Sequence, residues 1–279
     1  KVSLPKVGDQ RLIANDLDRE TSHIDGLIAA KERMLALLEE KRAALISRVV
    51  TRGLDSNVPL KPSGQEWLGE IPAHWGVQRL KQLAEVRGGL TLGKQYSGDL
   101  FEYPYLRVAN VQDGYLDLED VLTVEVPASE AASNLLAKGD VLMNEGGDID
   151  KLGRGCVWRD EIAPCLHQNH VFAVRPHSVD SDWLALWTST LEAKRYFESR
   201  AKRSTNLASI SGSNIKELPV PLPPIEEQLA IRQFLDDRRH RLEKVGSELR
   251  HSLCLLTERR AALITAAVTG QLPLEEMRA

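Results

Sequence analysis

The densest chemical signal in this 279-residue chain is the run "CLHQNH" from Cys165 to His170. With Cys156 it sets two thiols and two imidazoles in a Cys-x8-Cys-x-His-x2-His order. All four are zinc-ligand types, but the close Cys-x2-4-Cys pair of structural zinc sites is missing. His167 and His170 are therefore read as hydrogen-bonding groups, packed within the fold or facing a ligand. Glu145, Asp148 and Asp150 add carboxylates that could hold Mg²⁺. Together with His167 and His170 they define an alternative function, a metal-dependent nuclease, although no second acidic cluster completes a nuclease constellation. There is no Gly-x-x-x-x-Gly-Lys-Ser/Thr phosphate loop and no strand-linked Gly-x-Gly-x-x-Gly site. The Asn/Asp-Pro-Pro-Tyr/Phe motif of adenine methyltransferases is absent as well. The expectation is a chain with no catalytic residues, no metal and no cofactor of its own.

Three loops carry a different chemistry. "RGGLTLGKQ" (Arg87 to Gln95) and "NEGGDIDKLGR" (Asn144 to Arg154) combine glycines, amides and cations. "SRAKRSTNLASISGSNIKE" (Ser199 to Glu217) places Arg200, Lys202 and Arg203 ahead of Ser204, Thr205, Asn206 and Ser209. Cations attract a phosphate backbone, short hydroxyls and amides fix register on it, and Asn, Gln or Arg can read base edges. The formal net charge of −4 excludes a uniformly basic surface, so contact with nucleic acid must come from such local patches.

The elements that hold these loops are announced by an internal repeat. Shifting the chain by 218 positions lays Gln10 on Gln228, Ile13 on Ile231, Leu17-Asp18 on Leu235-Asp236, and Arg42-Ala43-Ala44-Leu45-Ile46 on Arg260-Ala261-Ala262-Leu263-Ile264, without a gap. Both copies have apolar residues at steps of three, four and seven and no internal Pro, which predicts two long helices. About 40 residues at 1.5 Å per residue make each a rod of the order of 60 Å, which must pack on a partner. Pro224 with Glu226 and Glu227 marks a start, and Gly53 and Gly270 mark stops. The repeat also lays "VSLP" (Val2 to Pro5) on "VPLP" (Val220 to Pro223), so the chain is expected to open on the tail of a preceding domain.

All five Trp and all five Tyr lie between Trp67 and Phe197, which marks a separate globular domain. Short apolar runs bounded by Gly, Asp, Asn and Pro read as strands, and "DSDWLALWTSTLEAKRYFESR" (Asp180 to Arg200) reads as a helix capped by Asp180 or Asp182. The fold class is α+β: a mixed α/β domain flanked by two long helices forming an antiparallel coiled coil. The expected boundaries are a domain tail (1–8), a first long helix (9–53), a linker (54–66), a globular domain (67–223), a second long helix (224–270) and a C-terminal tail (271–279). A hydrophobic content of 42% fits a soluble globular protein, no apolar run reaches membrane-spanning length, and three cysteines give no disulfide framework. The expectation is a cytoplasmic protein without a membrane partner.

The order of these features resembles the specificity subunit of type I restriction–modification enzymes. "WLGEIPAHWGVQRLKQLAEVRGG" opens the domain, "GDVLMNEGGDIDKLGRGCVW" and "CLHQNHVFAVRP" lie within it, "SISGSNIKELPVPLPPIEEQLAIRQFLD" leaves it, and "KRAALISRVVTRGLD" ends the first helix. The family's usual subunit alternates two recognition domains with two helical regions, whereas this chain has one domain and both helices. That departure implies either one half of a subunit or a half-length subunit that would self-dimerise.

The resemblance implies a non-catalytic subunit whose domain reads one half of a bipartite site in double-stranded DNA while the helices set half-site spacing. The implied partners are methyltransferase subunits, which bind S-adenosylmethionine, and restriction subunits. DNA contacts are expected at Thr91, Lys94, Asn144, Gly146, Lys151, Arg154, His167, Gln168, Asn169, Arg203, Thr205, Asn206 and Ser209. Partner contacts are expected at Lys41, Arg42, Arg48, Arg259 and Arg260.

Overall fold

The computed structural model describes residues 5–147, 149, 152–204, 207–274 and 277. The chain opens with α1 (Val7–Arg52), followed by β1 (Leu60–Pro62), β2 (Glu70–Pro72), β3 (Gly76–Arg79), β4 (Ala84–Arg87), β5 (Phe101–Leu106) and β6 (Leu122–Val126). Helix α2 (Ala128–Asn134) precedes β7 (Val141–Asn144), β8 (Gly146–Gly147), β9 (Gly155–Val157), β10 (Leu166–His167) and β11 (Val171–Pro176). Helices α3 (Ser181–Thr188) and α4 (Leu191–Arg200) follow, then β12 (Lys202–Arg203), β13 (Ala208–Ser209), α5 (Gly212–Lys216), β14 (Pro219–Leu222) and α6 (Ile225–Val268). These elements form two compact units, Lys1–Arg42 with Asp236–Ala279, and Ala43–Leu235.

In the helical unit, Ile24 and Leu249 supply buried apolar contacts. Arg260 Nε donates to Asp25 Oδ1 at 2.7 Å, and Leu38 packs beside Gly246. Pairing 25 with 260 and 38 with 246 makes α1 and α6 antiparallel. The repeat is reproduced in atomic detail. Gln10 Nε2 donates to the Pro5 carbonyl and Gln228 Nε2 to the Pro223 carbonyl, both at 2.8 Å. At the other helix ends Thr51 Oγ1 donates to Ser47 and Thr269 Oγ1 to Thr265, both at 2.7 Å. Helix α1 begins at Val7, two residues before the expected boundary.

The globular unit is organised by the antiparallel sheet β4-β11-β7-β9. Side chains alternate across a strand, and here both faces are covered. Val141, Met143, Phe172 and Val174 enter one core cluster, while Leu142, Val171 and Ala173 enter a second on the other face. Two-sided burial explains why "VLM" and "VFAV" are continuous apolar runs rather than alternating ones.

The first cluster gathers Trp75, Trp183, Trp187, Tyr196 and Phe197, together with Val49 and Val50 from α1 and Ile231 and Leu235 from α6. Two of these buried indoles find a partner for their N–H, whereas Trp187 Nε1 has none among the described residues. Trp183 Nε1 donates to the Pro221 carbonyl at 2.9 Å, and Trp75 Nε1 to Glu227 Oε2 at 3.0 Å. A third cluster, with Leu90, Tyr105, Val126 and Leu166, underlies the sheet β10-β5-β6.

Two local expectations are corrected. The stretch from Asp180 to Arg200 is two helices, because Thr190 Oγ1 accepts from Ala193 N at 3.2 Å and starts α4 afresh. Asp180 does cap α3, accepting from Trp183 N at 2.9 Å. The stretch expected to be linker contains β1, which pairs with β2 of the following domain.

Cys156 and Cys165 lie in the second cluster, and burial pushes both thiols up to about 12, where almost no reactive thiolate exists at neutral pH. Cys254 on α6 is exposed. Native protein at pH 8 is expected to yield one alkylated thiol, the exposed Cys254, slowed by its bond to Glu258 Oε1, which raises its pKa, and three after unfolding. Peptide mapping after a short iodoacetamide pulse measures this, and fast native labelling of Cys156 or Cys165 would contradict the buried placement.

Candidate nucleic-acid interface

Where β10 ends and β11 begins, the chain makes a turn whose backbone is held from several sides. The His167 carbonyl accepts from Leu90 N at 2.7 Å, Gln168 N donates to the Leu106 carbonyl at 2.9 Å, and Asn169 N donates to the Leu90 carbonyl at 3.0 Å. The Gln168 carbonyl accepts from Val171 N at 2.8 Å, and that of His170 from Glu145 N at 2.9 Å. The bonds leave the side chains of Gln168, Asn169 and His170 outside the ladder.

A second element faces the same space. Strands β12 and β13 form a hairpin closed by Ser204 N donating to the Leu207 carbonyl at 2.8 Å, and β13 pairs with β8 through Ser209–Gly146 and Ala208–Gly147. Between hairpin and turn lies a groove of about 570 Å³ lined by Gln168, His170, Glu145, Lys202, Arg203 and Ser209, with Val108, Gly146, Ser204, Leu207 and Ala208 completing it. His170 Nδ1 and Glu145 Oε2 lie 2.5 Å apart and occupy each other. Lys202 and Arg203 are exposed and make no ion pair among the described residues. The groove thus offers exposed cations on the hairpin and a neutral amide on the turn, as a surface for a phosphate-backed polymer with readable edges requires.

Residues 72–247 match the family model described as type I restriction modification DNA specificity domain. The chain belongs to this family. Over 174 residues it is 32% identical to the putative type I restriction enzyme MjaX specificity subunit of Methanocaldococcus jannaschii, covering 61% of this chain and 40% of that protein. It is 23% identical over 277 residues to the EcoKI specificity subunit of Escherichia coli, covering 97% of this chain and 57% of that one. The chain therefore spans about half the length of these curated relatives. Among solved structures, a chain from work on complex assembly and conformational transition of the type I R-M system superposes with a TM-score of 0.71 at 18% identity, covering 96% of this chain and 61% of that one. The HsdS subunit from Thermoanaerobacter tengcongensis gives 0.53 at 18% identity, with 96% and 60% covered.

In this member of the type I specificity family, the residues expected to touch DNA divide by location. Gly146, Gln168, Arg203 and Ser209 line the groove; Asn169 and Arg154 lie outside its lining. Thr91 is exposed elsewhere, and Lys94 donates to Glu130 Oε1 at 2.9 Å, a bond that raises its pKa and spends its charge within the chain. Lys151, Thr205 and Asn206 lie outside the described residues, as do Asp148 and Asp150.

Two placements are corrections. Asn144 is fully buried, with Nδ2 donating to the Val111 carbonyl at 2.9 Å, so it braces a loop instead of facing a ligand. His167 is fully buried as well, with Nδ1 donating to the Val171 carbonyl at 2.7 Å. Among the partner-contact residues, Arg260 is bound to Asp25 and Arg42 lies 3.5 Å from Glu39, while Lys41, Arg48 and Arg259 stay exposed. Among the described residues no group of three His, Cys, Asp or Glu side chains could hold a metal. Glu145, Lys202 and Val108 are not among the residues expected to touch DNA. The first two are visible as charges in polar loops, whereas nothing in the sequence marks Val108.

Burial holds the His167 imidazole down at about 4, with Arg87 and Arg175 adding to the effect, against about 6.5 for the exposed ring. The folded state therefore refuses a proton that the unfolded chain accepts. This contribution is intact above about pH 6.5 and is lost as pH falls toward 4, by about 2 kcal/mol at pH 5. His167→Asn keeps an N–H donor near Nδ1 and removes the titration. Urea unfolding at pH 7 and pH 5 is expected to show a smaller loss in the variant than in the wild type, and equal losses would contradict the buried neutral ring.

Proposed function

We propose that this chain is the DNA-reading part of a type I restriction–modification specificity subunit, non-catalytic and cytoplasmic. Its globular unit binds one half of a split site in double-stranded DNA through the groove between the hairpin and the Gln168 turn. The observation that carries this reading is the Lys202–Arg203 hairpin, whose cations make no ion pair among the described residues, beside a backbone-fixed turn whose side-chain amides make no hydrogen bond among those residues, in a domain of the specificity family. The Glu145 carboxylate is bound to His170, and no observation favours the metal-dependent nuclease.

The helical unit acts as spacer and dock. Its paired segment, Val7–Arg42 against Asp236–Val268, is about 54 Å long at 1.5 Å per residue, enough to span more than one duplex turn of about 34 Å. It exposes apolar residues at positions the repeat equates: Leu27 with Val245, 40% and 44% exposed, and Leu37 with Leu255, 61% and 51% exposed. Exposed apolar residues at like positions on the two helices fit two copies of one partner, and methyltransferase subunits bringing S-adenosylmethionine are the partner we assign, with Lys41, Arg48 and Arg259 as exposed cations on the same helices. Restriction subunits join that assembly.

Phosphate contacts release counterions, so removing two cations lowers the salt slope of binding by about 0.9 each. Lys202→Ala with Arg203→Ala is expected to flatten the dependence of log affinity on log salt by close to two units between about 50 and 200 mM salt, read by fluorescence anisotropy on a mixed-sequence duplex. An unchanged slope would favour a helical adaptor that makes no DNA contact.

A further inference from the structure

The groove holds one recognition-competent group that its internal chemistry leaves over. Glu145 is bound to His170, Ser204 Oγ donates to the Leu207 carbonyl at 3.0 Å, and Lys202 and Arg203 are cations. Gln168 carries the one planar side chain in the lining that offers a donor and an acceptor side by side, and its amide makes no hydrogen bond among the described residues.

Its backbone, in contrast, has no slack. The amide N is held by Leu106 and the carbonyl by Val171, and the chain passes beneath at Gly89, where a Cβ would stand 2.1 Å from the His167 carbonyl oxygen and 2.5 Å from that of Gln168. Only glycine permits that approach. A side chain projected from a fixed backbone loses little freedom on binding, which favours discrimination over mere adhesion.

The base edges decide which ligand such a group fits. In the major groove adenine presents the N7 acceptor beside the N6 donor, whereas guanine presents two acceptors, N7 and O6. A carboxamide matches the first pattern with both atoms and the second with one; a guanidinium does the reverse. We propose that Gln168 is a specificity-determining residue that reads an adenine from the major-groove edge, with Gly89 as the positioning residue that seats its turn. The hairpin cations then take the phosphates, so the duplex has a backbone side and a base side in the groove. This assignment rests on the groove being the DNA contact surface.

The test uses the full chain and a pool of randomised duplexes, selected by binding and sequenced. Wild type is expected to enrich adenine at one position, by about 5- to 150-fold over the other bases for a good bidentate pair. Gln168→Arg is expected to change the preference at that same position from adenine to guanine while the other positions hold. Gln168→Ala is expected to flatten it. Gly89→Ala, with its fold checked by thermal melting, is expected to weaken the same position while the salt slope stays that of wild type. Retention of adenine in Gln168→Arg, or an equal loss at all positions, overturns the role of Gln168; retention of adenine in Gly89→Ala overturns that of Gly89. A wild-type chain that enriches no sequence overturns the DNA-reading assignment of the groove itself.

Discussion

The structure depends on β11 being buried on both faces. Val171 to Val174 alternate between two apolar clusters, and the strand hydrogen-bonds to β4 on one side and β7 on the other. A strand so enclosed cannot slip by one residue, because a slip would exchange every side chain between the two clusters. Its N-terminal end therefore lies at a fixed place, and that end is the Gln168–His170 turn. The rigidity of the groove is inherited from the packing of the sheet, and the hairpin is tied in through the pairing of β13 with β8 and the Ile210 N bond to the Glu145 carbonyl at 2.8 Å.

The helices anchor to the same core. Val49, Val50, Ile231 and Leu235 pack with the tryptophan group, so the last turns of α1 and the first turns of α6 belong to the globular unit. At positions equated by the repeat, Val50 is fully buried while Val268 is 70% exposed. The same helical phrase thus meets a packed interior at one place and solvent at another, so burial is set by what surrounds the phrase, not by its own residues.

Much of this architecture is legible in the residues alone. The period of the two helices and the gapless repeat set their length and mutual likeness, and the confinement of Trp and Tyr locates the globular core. Legibility fails where a property depends on distant partners. Lys94 reads as free because Glu130 is remote in sequence, and Asn144 and His167 read as DNA contacts because polar residues at strand ends commonly point outward. Period-2 alternation assigns faces, but it does not say that both faces are covered; here both are, so polar side chains at these ends turn inward to satisfy backbone carbonyls. The break between α3 and α4 is hidden because Thr190 fits a helix interior by pattern yet serves as a cap.

The turn that carries Gln168 is held almost wholly by main-chain bonds, and such bonds do not depend on which side chain the residue bears. His167, by contrast, contributes its imidazole to the frame through the bond to the Val171 carbonyl. A scaffold divided in this way lets positions 168 and 169 mutate without a folding penalty. A lineage could then acquire a new target sequence by single substitutions, keeping the frame that presents them.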